Sequence, residues 1–268
     1  MSASDDFSEY LAESLLGRQI EVIAADELTV DEAAVIPDGW VDIVRAPSSD
    51  AMRRVRDMWQ QVVPGRFARL MGVFDQYGWA VHLARVTSGS EPKPVIVLLY
   101  VFRGDVFSRG FDARIGFAPR TGVDAPECWD ELPEGIRRLY DEVHDGFLTN
   151  IWAGPAGLIR SKEMFRFGEE FDQQDFDYCV RGEDGQLVRD SAGRVMDPDS
   201  LPDLNNLIEL CKNRSSARVL FDTVKGDAFA WERWDGQLES WSSLWDRLDT
   251  WLFKSFDDLR TMYDASTS

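Results

Sequence analysis

Two histidines, His82 and His144, are the side chains best suited to proton transfer near neutral pH. A hydrolase triad also needs a nucleophile and an orienting group, and no G-x-S-x-G is present. His82 falls inside a strand pattern and His144 at a helix end. Each is expected to be structural, His144 by complementing a helix C-terminus. Neither G-x-x-x-x-G-K-[ST] nor G-x-G-x-x-G occurs, so no phosphate cradle is expected. The glycine cluster Gly154 to Gly157 contains Pro155 and reads as a tight turn. The acidic run Asp172, Asp175, Asp177, Glu183 and Asp184 suggests calcium. A calcium loop opened at Asp175, however, puts Val180 where glycine is required and Gln186 where a bidentate glutamate is required. A solvated acidic face is the simpler reading. Paired carboxylates of the glycosidase kind meet in space and leave no spacing to read. The residues therefore predict no catalytic side chain, no metal ligands and no cofactor.

The three cysteines, Cys128, Cys179 and Cys211, are odd in number and widely spaced. Without a C-x-x-C they form neither a zinc ribbon nor a dithiol pair, and they read as buried small hydrophobes in a reducing compartment. The chain carries 48 acidic against 29 basic side chains, a formal net charge of -19. That charge repels a phosphate backbone and an anionic bilayer, so nucleic acid and membrane are not expected as partners. It serves solubility, or it attracts a basic protein partner. Trp231, Trp234, Trp241, Trp245 and Trp251 cluster near the end. Most should be core, while Trp241 and Trp245 share one side if their segment is helical. With Asp172, Asp175, Asp177, Glu183 and Asp184 these two make the candidate partner-binding set.

The elements that must position these residues follow from periodicity and turn chemistry. The opening MSASDDFSEYLAESLLGRQ has no basic n-region and no long apolar stretch, so no signal peptide and a cytoplasmic location are expected. Residues 4–17 read as a helix with Phe7, Leu11 and Leu15 on one face. Gln19 to Ile23 alternates as a strand, and the acidic stretch from Asp26 to Pro37 is ambiguous. Trp40 to Val44 reads as a short strand after the Pro37-Asp38-Gly39 turn. A helix capped by Ser48 or Ser49 carries Met52, Val55 and Trp59 inward and ends near Pro64. Phe67–Phe74 and Trp79–Val86 resemble a hairpin. Val95 to Phe102, VIVLLYVF, predicts a central strand, with Ala113–Phe117 beside it.

Residues 119–130 are polar, with two prolines, and mark a candidate boundary. The expected division is 1–125, a strand-rich α+β region, and 126–268, a second α+β unit. The first is either a separate domain or an extension of the same sheet. Leu132-Pro133 opens a helix with Ile136, Leu139, Tyr140 and Val143, stopped at Asp145-Gly146. Ile151-Trp152 suggests a strand, Ser161 a helix cap before Met164 and Phe165, and residues 169–203 acidic surface loops. Leu204, Leu207, Ile208 and Cys211 suggest a helix. Ala217–Thr223, Ala228–Trp234 and Leu238–Trp241 form an antiparallel meander through Asp235-Gly236. Ser255 is expected to cap a closing helix through Phe256, Leu259 and Tyr263.

Three of these features occur in a familiar order. They are the Leu132-Pro133 helix with Leu139-Tyr140 and Asp145-Gly146, then the glycine turn with Leu158 and Ser161-Lys162-Glu163-Met164. The third is the meander ending in Ser255-Phe256-Asp257-Asp258-Leu259. In this order residues 126–268 resemble the SUKH (SMI1/KNR4) superfamily. An Asp stands where the family's opening often has Asn, and the long acidic insertion is additional. The resemblance implies an α+β fold with a twisted, mainly antiparallel sheet and packed helices. For bacterial members it implies an immunity protein that binds and neutralises a cognate polymorphic toxin, with occlusion of a basic active site as the expected means. The alternative it implies is a regulatory or scaffold protein binding a housekeeping partner. An enzyme with an unsignalled carboxylate site is the third class.

Overall fold

The run from Ile96 to Phe102 is buried at every position, inside a strand Val95–Arg103 (β3). An apolar run with no polar side to offer water must be covered on both faces. Its neighbours are β2 (Gly78–Ser88), with Leu83 opposite Leu98, and β4 (Phe111–Phe117), with Tyr100 opposite Arg114. The computed structural model describes residues 3–13, 18–88, 93–107, 109–120, 125–149, 156–172, 202–213, 217–232, 237–241 and 243–256.

Within these residues a ten-stranded sheet follows chain order, and every neighbouring pair is antiparallel. The other strands are β1 (Arg18–Ile23), β5 (Phe147–Thr149), β6 (Gly157–Leu158), β7 (Leu207–Lys212), β8 (Arg218–Asp222), β9 (Ala228–Glu232) and β10 (Gln237–Trp241). The fold is α+β, with a twisted open sheet. The strand order continues across residues 119–130, because β4 pairs with β5 from Arg114↔Thr149 to Gly116↔Phe147.

Helices cover the sheet. On one face lie α3 (Asp38–Arg45), α4 (Ser48–Val62), α5 (Ala68–Tyr77) and a C-terminal helix numbered below, in one cluster with Leu83, Leu98, Tyr100 and Ile208. On the other, α1 (Ala3–Glu13) sets Phe7, Tyr10 and Leu11 against Ala84, Leu99 and Ile115. A third cluster joins Phe167 of α7 (Phe167–Glu170) to Leu207, Leu220 and Phe229. Between β1 and α3 stands α2 (Val30–Ala34); between β4 and β5 stands α6 (Glu134–Arg138). A π turn, Leu139–Val143, follows α6 and swings His144 into the core. The C-terminal helix is α8 (Leu244–Lys254).

Several expectations are corrected. Trp40–Val44 is helical, since Trp40 and Ile43 are buried one turn apart after a proline N-cap. Residues 68–74 are helical too: after the N-cap Phe67, the buried Leu70, Met71 and Phe74 repeat at the helical period, so no hairpin precedes β2. Leu207–Lys212 is a strand, because burial on both faces erases the alternation that identifies one. Ser161 opens only a short 3-10 turn, its N–H being held by the Asp145 carboxylate at 2.8 Å. Ser255 is the C-cap of α8, and the helix expected to follow it falls on residues outside the described ones. Trp241 lies in a strand and Trp245 in a helix, so they do not share a helical face. The expected strand at 151–152, the turn Asp235-Gly236, Leu259, Tyr263 and most of the acidic insertion lie outside the described residues.

Candidate functional site

The arrangement most like a catalytic dyad is buried and internally satisfied. Tyr100 Oη lies 2.6 Å from His144 Nε2, and His144 Nδ1 lies 2.9 Å from the Phe117 carbonyl. A carbonyl only accepts, so Nδ1 carries the proton and Nε2 accepts the Tyr100 hydroxyl hydrogen. The Trp59 indole N–H donates to Tyr100 Oη at 3.4 Å. Burial lowers the His144 pKa to about 4 and raises that of Tyr100. Gly116 makes room for the ring, because a Cβ there would lie 2.4 Å from His144 Cε1. His82 stacks on Phe7, with ring centroids 5.8 Å apart, and burial lowers its pKa. Both histidine rings pack against aromatic side chains, His144 against Trp40 and Phe147 and His82 against Phe7.

A cleft of about 500 Å³ opens at one end of the sheet. The strand register orders its lining. On the β1–β2 side stand Asp31, Glu32 and Val35, from α2 and the residue after it. The floor is Pro94–Ile96, entering β3, and Ala118-Pro119, leaving β4. Beyond lie Arg120, Asp145, Arg160 and Lys162, at the ends of β4, β5 and β6. Acid, apolar floor and base thus follow one another along the strand order.

Local chemistry fixes these groups. Thr29 caps α2 reciprocally: Glu32 N donates to Thr29 Oγ1 at 3.2 Å, and Thr29 N to Glu32 Oε2 at 2.8 Å. Arg85 of β2 then grips α2, reaching Glu32 Oε1 at 2.7 Å and the Glu27 carbonyl at 2.8 Å. The same guanidinium reaches Glu21 of β1 at 3.4 Å. Its hydrogen bonds, with that of the Thr29 N–H, lower the Glu32 pKa to about 2. Across the cleft, Asp145 faces Arg160 at 3.4 Å, and Arg120 faces Asp141 at 3.0 Å while stacking over Trp129. General acid–base work requires a group poised near the working pH. Glu32 is instead held ionised by its pair with Arg85, which makes it a structural anchor of α2 rather than a proton carrier.

The outer wall is an acidic corner with exposed apolar side chains. Val30 is 86% exposed and Val35 54%. Asp26, Glu27 and Asp31 beside them are exposed. Among the described residues the exposed large hydrophobics are Val22, Val30, Val35 and Val224. Val30 opens α2 and Val35 follows it, whereas Val22 pairs with Ala84 and lies on the other face of the sheet.

Another perturbed carboxyl is Glu209 of β7. Burial raises its pKa to about 7, opposed by Arg218 at 2.9 Å. It lies outside the cleft lining. Among the described residues no three His, Cys, Asp or Glu side chains converge as a metal site. None of their helices is long and apolar enough to cross a membrane.

Of the candidate set read from the sequence, Asp172 is exposed just beyond α7. Trp245 is half-buried, edge-on to Phe67 at 5.6 Å and beneath the Arg66 guanidinium at 5.4 Å. Trp241 occupies β10. Asp175, Asp177, Glu183 and Asp184 lie outside the described residues. Sequence reading passed over Val30, Asp31, Val35, Arg120, Arg160 and Lys162. The available signal was Thr29-x-x-Glu32, which marks a helix start inside the stretch read as ambiguous. The chain matches no protein-family model, no curated protein and no solved structure.

Proposed function

We propose that this protein is an immunity protein that binds and neutralises a cognate bacterial toxin, with the α2 corner in the contact surface. The observation that carries the reading is the corner itself: Val30 and Val35 are exposed near Asp26, Glu27 and Asp31 in the chain, and Val35 and Asp31 line the cleft. Apolar centre with charged rim is the composition of a protein interface. The surplus of carboxylates selects a basic partner and speeds its encounter. Nuclease active sites are basic, which makes such a toxin a suitable partner. The resemblance of residues 126–268 to the SUKH superfamily agrees with a protein-binding role of this kind, as analogy, and an adjacent toxin gene is what separates immunity from scaffolding.

The test is co-expression with the product of the neighbouring gene. The expected result is rescue of cells that this product poisons, and co-purification of the two chains. Failure of both would overturn the reading. Capture of a housekeeping protein without any rescue would transfer the same surface to the scaffold role.

A further inference from the structure

We infer that β1 is a docking edge, and that the basic partner adds an extended cationic segment to it as a further antiparallel strand. The inference rests on the reading that the α2 corner is a contact surface, and it specifies how contact is made. Strand β1 pairs with β2 from Arg18↔Ser88 to Ile23↔Leu83 without a bulge, and with no other strand among the described residues. Among the described residues, its second edge is left with backbone N–H and C=O groups that pair with no strand.

Proteins usually blunt such an edge with proline, inward charge, a bulge or a covering element. The sequence RQIEVI contains no proline and its register is unbroken; of its two charges, Glu21 is engaged by Arg85 of the neighbouring strand. Its side chains reach solvent: Gln19 and Glu21 are exposed, and Val22 is 40% exposed. The strand leads directly into Asp26, Glu27 and Asp31, all exposed. Arg85 draws the two parts together by contacting Glu21, Glu27 and Glu32 at once. A strand added here forms main-chain hydrogen bonds for affinity and meets the exposed carboxylates of Asp26 and Asp31, which select lysine or arginine. A second copy of this chain, with a net charge of -19, is the occupant that this field rejects.

The experiment is amide hydrogen exchange of the full chain with a blocked peptide of alternating lysine and valine. Saturating peptide should slow exchange in residues 18–23 about tenfold or more. Glu21→Lys, at an exposed position, should weaken peptide binding about tenfold, as should raising salt from about 0.05 to about 0.5 M. Protection at 237–241 instead of 18–23, binding with no protection in either strand, or no binding would overturn the inference. The corner reading fails by a separate route, when Asp31→Lys leaves capture of the neighbouring gene product unchanged.

Discussion

Asp249 should be among the costliest single polar side chains to remove. Helix α5 follows Phe67, an N-cap whose backbone is left-handed (φ 59°) and whose side chain cannot cap. The missing acceptor comes from α8, 180 residues away: Asp249 Oδ2 accepts from Arg69 N at 2.9 Å and Oδ1 from Leu70 N at 3.0 Å. Asp249 and Leu70 are both buried, so water does not replace the carboxylate. An ordinary N-cap is worth about 1–2 kcal/mol. Two charge-assisted bonds to buried donors set an upper limit of about 5 kcal/mol. Asp249→Ala should therefore cost about 3 kcal/mol, and Asp249→Asn, which keeps one acceptor, about half of that. In urea, with tryptophan fluorescence as the probe, the alanine variant's midpoint should fall by about 1 M. A loss below about 0.5 kcal/mol, or equal losses for alanine and asparagine, would refute the assignment of the cap.

Three further outcomes follow from the buried polar groups. His144 has a folded pKa depressed to about 4, so its contribution is present above pH 6.5 and lost as pH falls towards 4. The loss approaches about 3 kcal/mol and is read as unfolding free energy against pH. Glu209 acts with the opposite sign: its raised pKa makes its contribution largest below pH 4.5 and lost as pH rises through about 7. Glu209→Gln should remove that decline, and a flat difference curve between wild type and variant from pH 4.5 to 7 would contradict this. Gly116→Ala forces a methyl against a ring held by two hydrogen bonds, and should lower stability by about 2–3 kcal/mol in thermal unfolding.

What the sequence reveals depends on how local each determinant is. The β3 run, α4 and the closing meander carry their own signals, in an unbroken apolar stretch, a 3.6-residue period and turn residues. Strand β7 hides because both its faces are buried, and α3 and α5 hide because their apolar residues also fit short strands. The Asp249 cap has no local signature, since donor and acceptor are joined only by the fold. The cleft is similar: Asp31, Arg120 and Arg160 lie far apart in the chain and meet because β2 to β6 end together. Val30 and Val35 look like core residues in a sequence, and only the fold leaves them outside.

Calorimetric titration of the neighbouring gene's product into wild type and Val30→Lys tests the docking surface most directly. Val30 is 86% exposed, so the substitution should leave the melting temperature unchanged while weakening affinity about tenfold or more. Equal affinity in the two proteins would contradict a partner seated on this corner.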